Sequence, residues 1–164
     1  MKKNKVIFLC TGNICRSPIG EGLLKHAISA LPETDPLKKL VICSAGTSAM
    51  TGMPASQHSV DVLEKVGVDI SQHKATQLNS ALLEECFALF AMEDTHLMIA
   101  KSRFSKSMPK RAMTVKGLNP NADDKNISDP FGGDFLDYEF VRDEVAESIP
   151  FIVKYLKEQL SENE

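Results

Sequence analysis

The sequence predicts an α/β domain in which helices cover both faces of a parallel sheet. Three observations lead there. Short apolar runs that suit strands, Lys5 to Leu9, Leu40 to Cys43, Phe87 to Met92 and Ala112 to Val115, alternate with segments of helical periodicity. Strands that alternate with helices pack as parallel neighbours beneath crossover helices. The 164 residues are 43% hydrophobic and 25% charged, enough for one core, and no repeat, low-complexity stretch or linker divides residues 1–164 into more than one domain.

The elements follow in order. Lys5 to Leu9 is short, apolar and β-capable, and it runs into the loop Cys10-Thr-Gly-Asn-Ile-Cys-Arg16. Ser17 then suits a helix N-cap and Pro18 a first helical position, although Gly20 stands where a reciprocal capping box needs Glu or Gln. Leu23, Leu24, Ala27, Ile28 and Leu31 supply the apolar face of that helix. After the second strand, residues 44–54 read as a loop, and Val60, Leu63 and Val66 as a helix ended by Gly67. The third strand leads to a helix for which Asp94 is the expected cap. Residues 117–133 cluster Asn, Asp, Pro and Gly and form a long loop, of the kind that usually carries function. Asp137 to Leu160 is a terminal helix with Val141, Val145, Ile149, Ile152 and Leu156 on one face and an expected kink at Pro150.

Composition removes several function classes. The net charge is −3 with no basic stripe, which argues against nucleic acid as a partner. The apolar run near the N-terminus is too short for a signal-peptide core or a membrane span, so no membrane association and a cytoplasmic, reducing location are expected. The four cysteines, Cys10, Cys15, Cys43 and Cys86, include no Cys-x-x-Cys pair, so no metal is expected; Cys43 and Cys86 read as buried small hydrophobes.

The chemistry lies in the first loop. In open parallel sheets ligands bind beyond the carboxyl ends of strands, and this loop leaves such an end. A loop that runs into a helix N-terminus turns backbone N–H groups inward as an anion nest. Thr11, Gly12, Asn13, Ile14, Cys15 and Arg16 would form it around a phosphate. Gly12 permits a tight turn, Asn13 tolerates a positive φ, and Arg16 can place a bidentate fork on two phosphate oxygens. A thiol at the floor of the nest feels the same field, which favours its thiolate, and Ser17 can donate to it. Cys10 is therefore the candidate nucleophile. No Gly-Lys-Ser or Gly-Lys-Thr follows, so the loop is not that of a nucleotide-binding protein, and no cofactor is expected.

Cys10-Thr-Gly-Asn-Ile-Cys-Arg-Ser-Pro18 resembles the signature of low-molecular-weight protein-tyrosine phosphatases. Ser44-Ala-Gly-Thr47 resembles the family's second-strand motif and Asp129-Pro-Phe131 its acid loop, so the likeness spans nearly the whole chain. It implies a four-stranded parallel sheet flanked by helices, a flavodoxin- or Rossmann-like three-layer sandwich. It also implies a monomer that hydrolyses phosphotyrosine in proteins through a cysteinyl-phosphate. Asn13, Ser17, Ser44 and His73 would support the loop; by itself His73 would read as an ordinary surface or core histidine. Asp129 would protonate the leaving group, which an aryl oxygen needs, and later take a proton from water. Cys15 would be a redox partner that protects Cys10 as a disulfide. Ile14, Phe131 and, in the loop after Thr47, Met50 and Met53 are the available substrate wall. Thr76 departs from the family, whose members often have Arg or Lys there.

Three other readings share parts of this pattern. The Asp-Pro-Phe-Gly-Gly run also resembles bacterial protein-arginine phosphatases, but those carry Thr at the position of Ile14, which favours tyrosine here. A thiol-dependent arsenate reductase needs more redox cysteines in the later half, where only Cys86 lies. A phosphate-sensing or phosphocarrier module would have no use for the acid at Asp129.

Overall fold

A computed structural model describes residues 2–163. Four strands, β1 (Lys5–Cys10), β2 (Val41–Gly46), β3 (Cys86–Ala91) and β4 (Ala112–Thr114), form one sheet in the order β2-β1-β3-β4. Every neighbouring pair is parallel. Five helices accompany them: α1 (Arg16–Ser29), α2 (Gln57–Glu64), α3 (Ser80–Glu84), α4 (Asp94–Phe104) and α5 (Phe135–Ser161). Short 3-10 turns at Pro36–Lys39 and Val115–Leu118 complete the list.

Strand alternation sorts the core into two layers. Val6 and Phe8 of β1 with Ala88 and Phe90 of β3 pack against Ile19 and Leu24 of α1, Val62 of α2 and Val141, Val145 and Ile152 of α5. Ile7 and Leu9 with Leu89 and Ala91 face the other way, towards Leu83 of α3 and Ala100 of α4. A strand covered on both faces cannot alternate polar with apolar, which is why β1 and β3 read as unbroken apolar runs. The expected three-layer arrangement is the observed one.

Local boundaries differ from the sequence reading at three caps. The N-cap of α1 is Cys15, so Ser17 lies inside the first turn and its hydroxyl is free for other work. The N-cap of α4 is Glu93 rather than Asp94. α5 starts at Phe135 behind an Asp134 cap, whose side chain accepts from Asp137 N while Asp137 Oδ2 accepts from Asp134 N. The helix runs through Pro150 to Ser161, one residue beyond the expected end. Cys86 is buried as expected, whereas Cys43 is half-buried on the outer strand β2.

The strand register decides where the site is. Cys10 pairs with Gly46 and Leu9 with Ala91, so β1, β2 and β3 end level with one another. The loops that follow them, and the long loop after β4, therefore gather at one edge of the sheet.

Candidate active site

Cys10 is the last residue of β1 and is 2% exposed. The loop after it is fixed by its carbonyls. Thr47 N donates to Cys10 O (2.9 Å), Ser48 N to Thr11 O (2.9 Å) and Ser56 N to Ile14 O (2.8 Å). His73 Nε2 donates to Asn13 O at 2.7 Å and Ser59 Oγ to Cys15 O at 3.1 Å. With those carbonyls bonded outward, the N–H groups of Gly12, Ile14 and Cys15 have no acceptor among the described residues. Peptide N–H groups in that state, at a helix N-terminus, form an anion site.

Asn13 is the pivot. Its φ of 57° makes it the left-handed residue of the turn, a conformation Asn tolerates better than most side chains. Its Nδ2 donates to Ser17 Oγ at 2.8 Å and to Ser44 Oγ at 2.9 Å, and its Oδ1 accepts from Thr76 N at 2.8 Å. Because Ser17 Oγ already accepts from Asn13, its own hydrogen can go to Cys10 Sγ, 2.9 Å away. Asn13 N adds a second donor to the sulfur at 3.3 Å. Asn13, Ser17, Ser44 and His73 are thus one connected network. Thr76 serves through its backbone, so its departure from the family leaves this contact intact. Gly12 was expected to make the tight turn, but its φ is not positive and a Cβ there would meet only the Ile14 side chain at 3.7 Å. The position that demands glycine is Gly46, where a Cβ would run into the Thr11 carbonyl and the Asn13 amide.

Arg16 is 2% exposed, and a buried guanidinium requires partners. Its Nη1 donates to Glu93 Oε2 at 2.5 Å and to the Ile127 carbonyl at 2.8 Å. Nη2 lies 3.6 Å from Asp129 Oδ2. The edge formed by Nε and Nη2 therefore keeps two N–H groups for the oxygens of an anion. Asp129 is held on the exposed side of the cleft by an Asx turn, its Oδ1 accepting from Phe131 N at 3.1 Å. Ile127 N donates to Met92 O at 2.8 Å, which ties the acid loop to the end of β3.

Cys10, Thr11, Gly12, Ile14, Cys15, Arg16, Asp129 and Phe131 line one cleft of about 220 Å³. Ile14 and Phe131 are on its wall as expected. Met50 is 72% exposed and is not part of the lining, so the loop after β2 does not close this cleft as the sequence suggested. Cys10 and Cys15 are both free thiols. Cys15 Sγ lies 3.3 Å from Tyr138 Oη, and burial pushes its thiol up. Burial likewise pushes Cys43 up to about 11 and Cys86 up to about 12, which makes both poor nucleophiles. A wider cavity of about 580 Å³ lies behind the loop, beside Glu21, Lys25 and His73. Its only thiol is Cys43, so the smaller cleft is the one equipped for chemistry.

Two residues of this neighbourhood escaped the sequence reading. Glu93 holds Arg16, and the only sequence signal was an acid directly after the third apolar run. His96, 2% exposed, bridges α4 to the loop. Its Nδ1 accepts from Glu93 N at 3.1 Å, so the proton is on Nε2, which donates to Thr11 Oγ1 at 3.0 Å. Burial, and next the Arg16 charge, push its imidazole down to about 4, so it is neutral at physiological pH.

Comparison with known proteins agrees with this geometry. The family model described as low molecular weight phosphotyrosine protein phosphatase matches residues 5–162. A protein-arginine-phosphatase of Geobacillus stearothermophilus is 31% identical over 93% of this chain and 96% of its own. A low molecular weight protein-tyrosine-phosphatase of Acinetobacter johnsonii is 32% identical over 82% of this chain and 84% of its own. The solved structure of the YwlE arginine phosphatase from Geobacillus stearothermophilus superposes with a TM-score of 0.82 at 30% identity, covering 98% of this chain and 97% of that one. With the family model covering both the Cys10 loop and the Asp129 loop, the chain belongs to the low molecular weight phosphotyrosine protein phosphatases.

Proposed function

We propose that this phosphatase hydrolyses phosphotyrosine in proteins, with Cys10 as nucleophile, Arg16 and the loop amides as the phosphate cradle, and Asp129 as general acid and then base. One observation carries the reading: the sulfur sits in an amide-lined cleft whose lining also includes Arg16, with Nη1 engaged by Glu93 and Ile127, and Asp129, whose Oδ2 lies 3.6 Å from Nη2.

In the first step the Cys10 thiolate attacks phosphorus in line with the leaving oxygen. Phosphoryl transfer is mainly a matter of positioning and charge stabilisation, which the amides and Arg16 supply. The ester P–O bond breaks as the S–P bond forms, and Asp129 gives its proton to the departing phenolate oxygen. In the second step Asp129 takes a proton from water as that water attacks the cysteinyl-phosphate. The S–P bond breaks, inorganic phosphate leaves and the thiolate returns. The Ser17 hydroxyl and the Asn13 amide stabilise the sulfur whenever it carries charge.

Ile14 on the cleft wall favours a phenyl ring over a guanidinium. Removal of phosphate from arginine is the second reading, supported by the naming of the Geobacillus relative. The ratio of kcat/KM for matched phosphotyrosine and phosphoarginine peptides separates them. The expected ratio favours phosphotyrosine and falls in Ile14→Thr; a wild-type preference for phosphoarginine would overturn the tyrosine assignment. Ile14→Thr replaces an ethyl arm by a hydroxyl in an apolar wall, a change worth about 1–3 kcal/mol, so the shift should be roughly 5- to 150-fold. A thiolate nucleophile has to stay reduced, which suits a cytoplasmic location, and cell fractionation checks it; the expected monomer is checked by light scattering.

A further inference from the structure

Beside the catalytic cleft runs a second groove of about 390 Å³, between the acid loop and α5. Asp129, Pro130, Phe131, Asp137, Phe140 and Val141 form its functional walls. Asp129 and Phe131 also line the cleft over Cys10, so the two spaces share a wall. Phe131 is 71% and Phe140 is 63% exposed, two phenyl rings on one surface with nothing packed over them. The charged residues that line the groove are Asp129 and Asp137, and no Lys or Arg is among the lining.

We propose that this groove is a subsite for a basic side chain, arginine or lysine, that flanks the phosphorylated residue of the protein substrate. The inference rests on the phosphatase reading, since the phosphorylated residue must occupy the adjoining cleft. The chemistry selects the occupant. A long basic side chain lays its methylene stem along apolar surface and keeps its charged head at the rim. The same head is attracted to the faces of phenyl rings and to a carboxylate. An acidic side chain would face the Asp137 carboxylate instead. A purely apolar one would cover the rings but leave Asp137 without a cation. Continuity with the catalytic cleft requires the occupant to belong to the substrate chain itself.

The test uses the wild-type enzyme and phosphotyrosine peptides of one sequence in which Arg, Ala or Glu is placed in turn at each position flanking the phosphotyrosine. Turnover of para-nitrophenyl phosphate, which has no flanking residue, is followed in parallel. At one position Arg should raise kcat/KM about tenfold over Glu, with Ala between, and added salt should shrink the difference. Phe140→Lys replaces an exposed ring by a repelling charge, and it should abolish the preference for Arg. Asp137 is left intact because it caps α5. Equal kcat/KM for all three peptides at every position would overturn the subsite while the phosphatase reading stands. So would a preference for Arg that survives Phe140→Lys. Failure to turn over para-nitrophenyl phosphate would instead overturn the phosphatase reading, and the subsite with it.

Discussion

Arg16 shows how a buried cation is kept ready for a ligand. Glu93 and the Ile127 carbonyl use Nη1 alone, which offsets desolvation without consuming the edge that matches a phosphate. In the proposed mechanism the anion is held by that edge and by backbone amides, not by sulfur. Replacing Cys10 with Ser should therefore lower turnover by a factor on the order of 10⁴ or more while calorimetric binding of inorganic phosphate changes little. Arg16→Ala should lose both binding and turnover. Turnover near the wild-type level in Cys10→Ser would remove the sulfur from the mechanism. In the proposed mechanism Asp129 acts at a different bond, that between phosphorus and the leaving oxygen. Asp129→Asn should cost about 10²–10³ in kcat for phosphotyrosine and progressively less as the leaving phenol becomes more acidic. A loss that is the same across a leaving-group series would deny Asp129 the acid role.

At the scale of an element, the first turn of α4 links the sheet edge to the catalytic loop. His96 reaches back to Glu93 N with one ring nitrogen and on to Thr11 with the other. The bond from Glu93 N requires the neutral ring, since a protonated Nδ1 cannot accept, and its native value near 4 lies below the ordinary 6.5. Between those values the unfolded chain binds the proton more readily than the folded one. The stability that goes with a neutral His96 is thus fully present above pH 6.5 and is lost as pH falls towards 4. The loss amounts to on the order of 3 kcal/mol at the lower end. Urea unfolding at pH 7 and pH 4.5 should show this decline, and His96→Asn, which does not titrate, should flatten it. An unchanged pH slope in that variant would assign the decline to other groups. The helix itself was expected from its place after the third apolar run, with Asp94 as its cap. The cap was not, because Glu93 and Asp94 are adjacent acids and only the Arg16 and His96 contacts decide between them.

For the whole molecule, the site exists because three strands end level. β1 lies between β2 and β3, so the loop from Cys10 is held from one side by Thr47 and Ser48 and from the other by the acid loop tied to Met92. Gly46 is the point of closest approach, with the Thr11 carbonyl where a Cβ would be. Gly46→Ala should force the catalytic loop off the end of β2, lowering stability by about 1–3 kcal/mol and reducing kcat/KM more than the stability loss accounts for. Chemical denaturation read beside phosphotyrosine turnover checks both parts. A variant that is stable and fully active would show that the loop can move aside at no cost.

The α/β class, the four strands and the candidate phosphate loop were legible along the chain, because apolar period, turn-forming residues and the spacing of Cys10 to Arg16 all lie within a few residues of one another, whereas the proposed pairing of that loop with Asp129 rested on the resemblance to the family. Tertiary structure alone decided that Glu93 and His96 complete the site, that Met50 stays outside it, and that Gly46 rather than Gly12 is sterically required. It also decided the start of α1. Ser17 has the chemistry of a cap, yet its hydroxyl is drawn to Cys10 and Asn13, and Gly20 lies flush against the Phe8 ring where a capping box would need a long side chain. For Glu93, His96 and Gly46 the deciding partner is distant in sequence, across a strand or from another helix, so no short window contains both members of the contact; the Ser17 contacts are local, and what decides them is the fold of the loop that brings Cys10 and Asn13 to its hydroxyl.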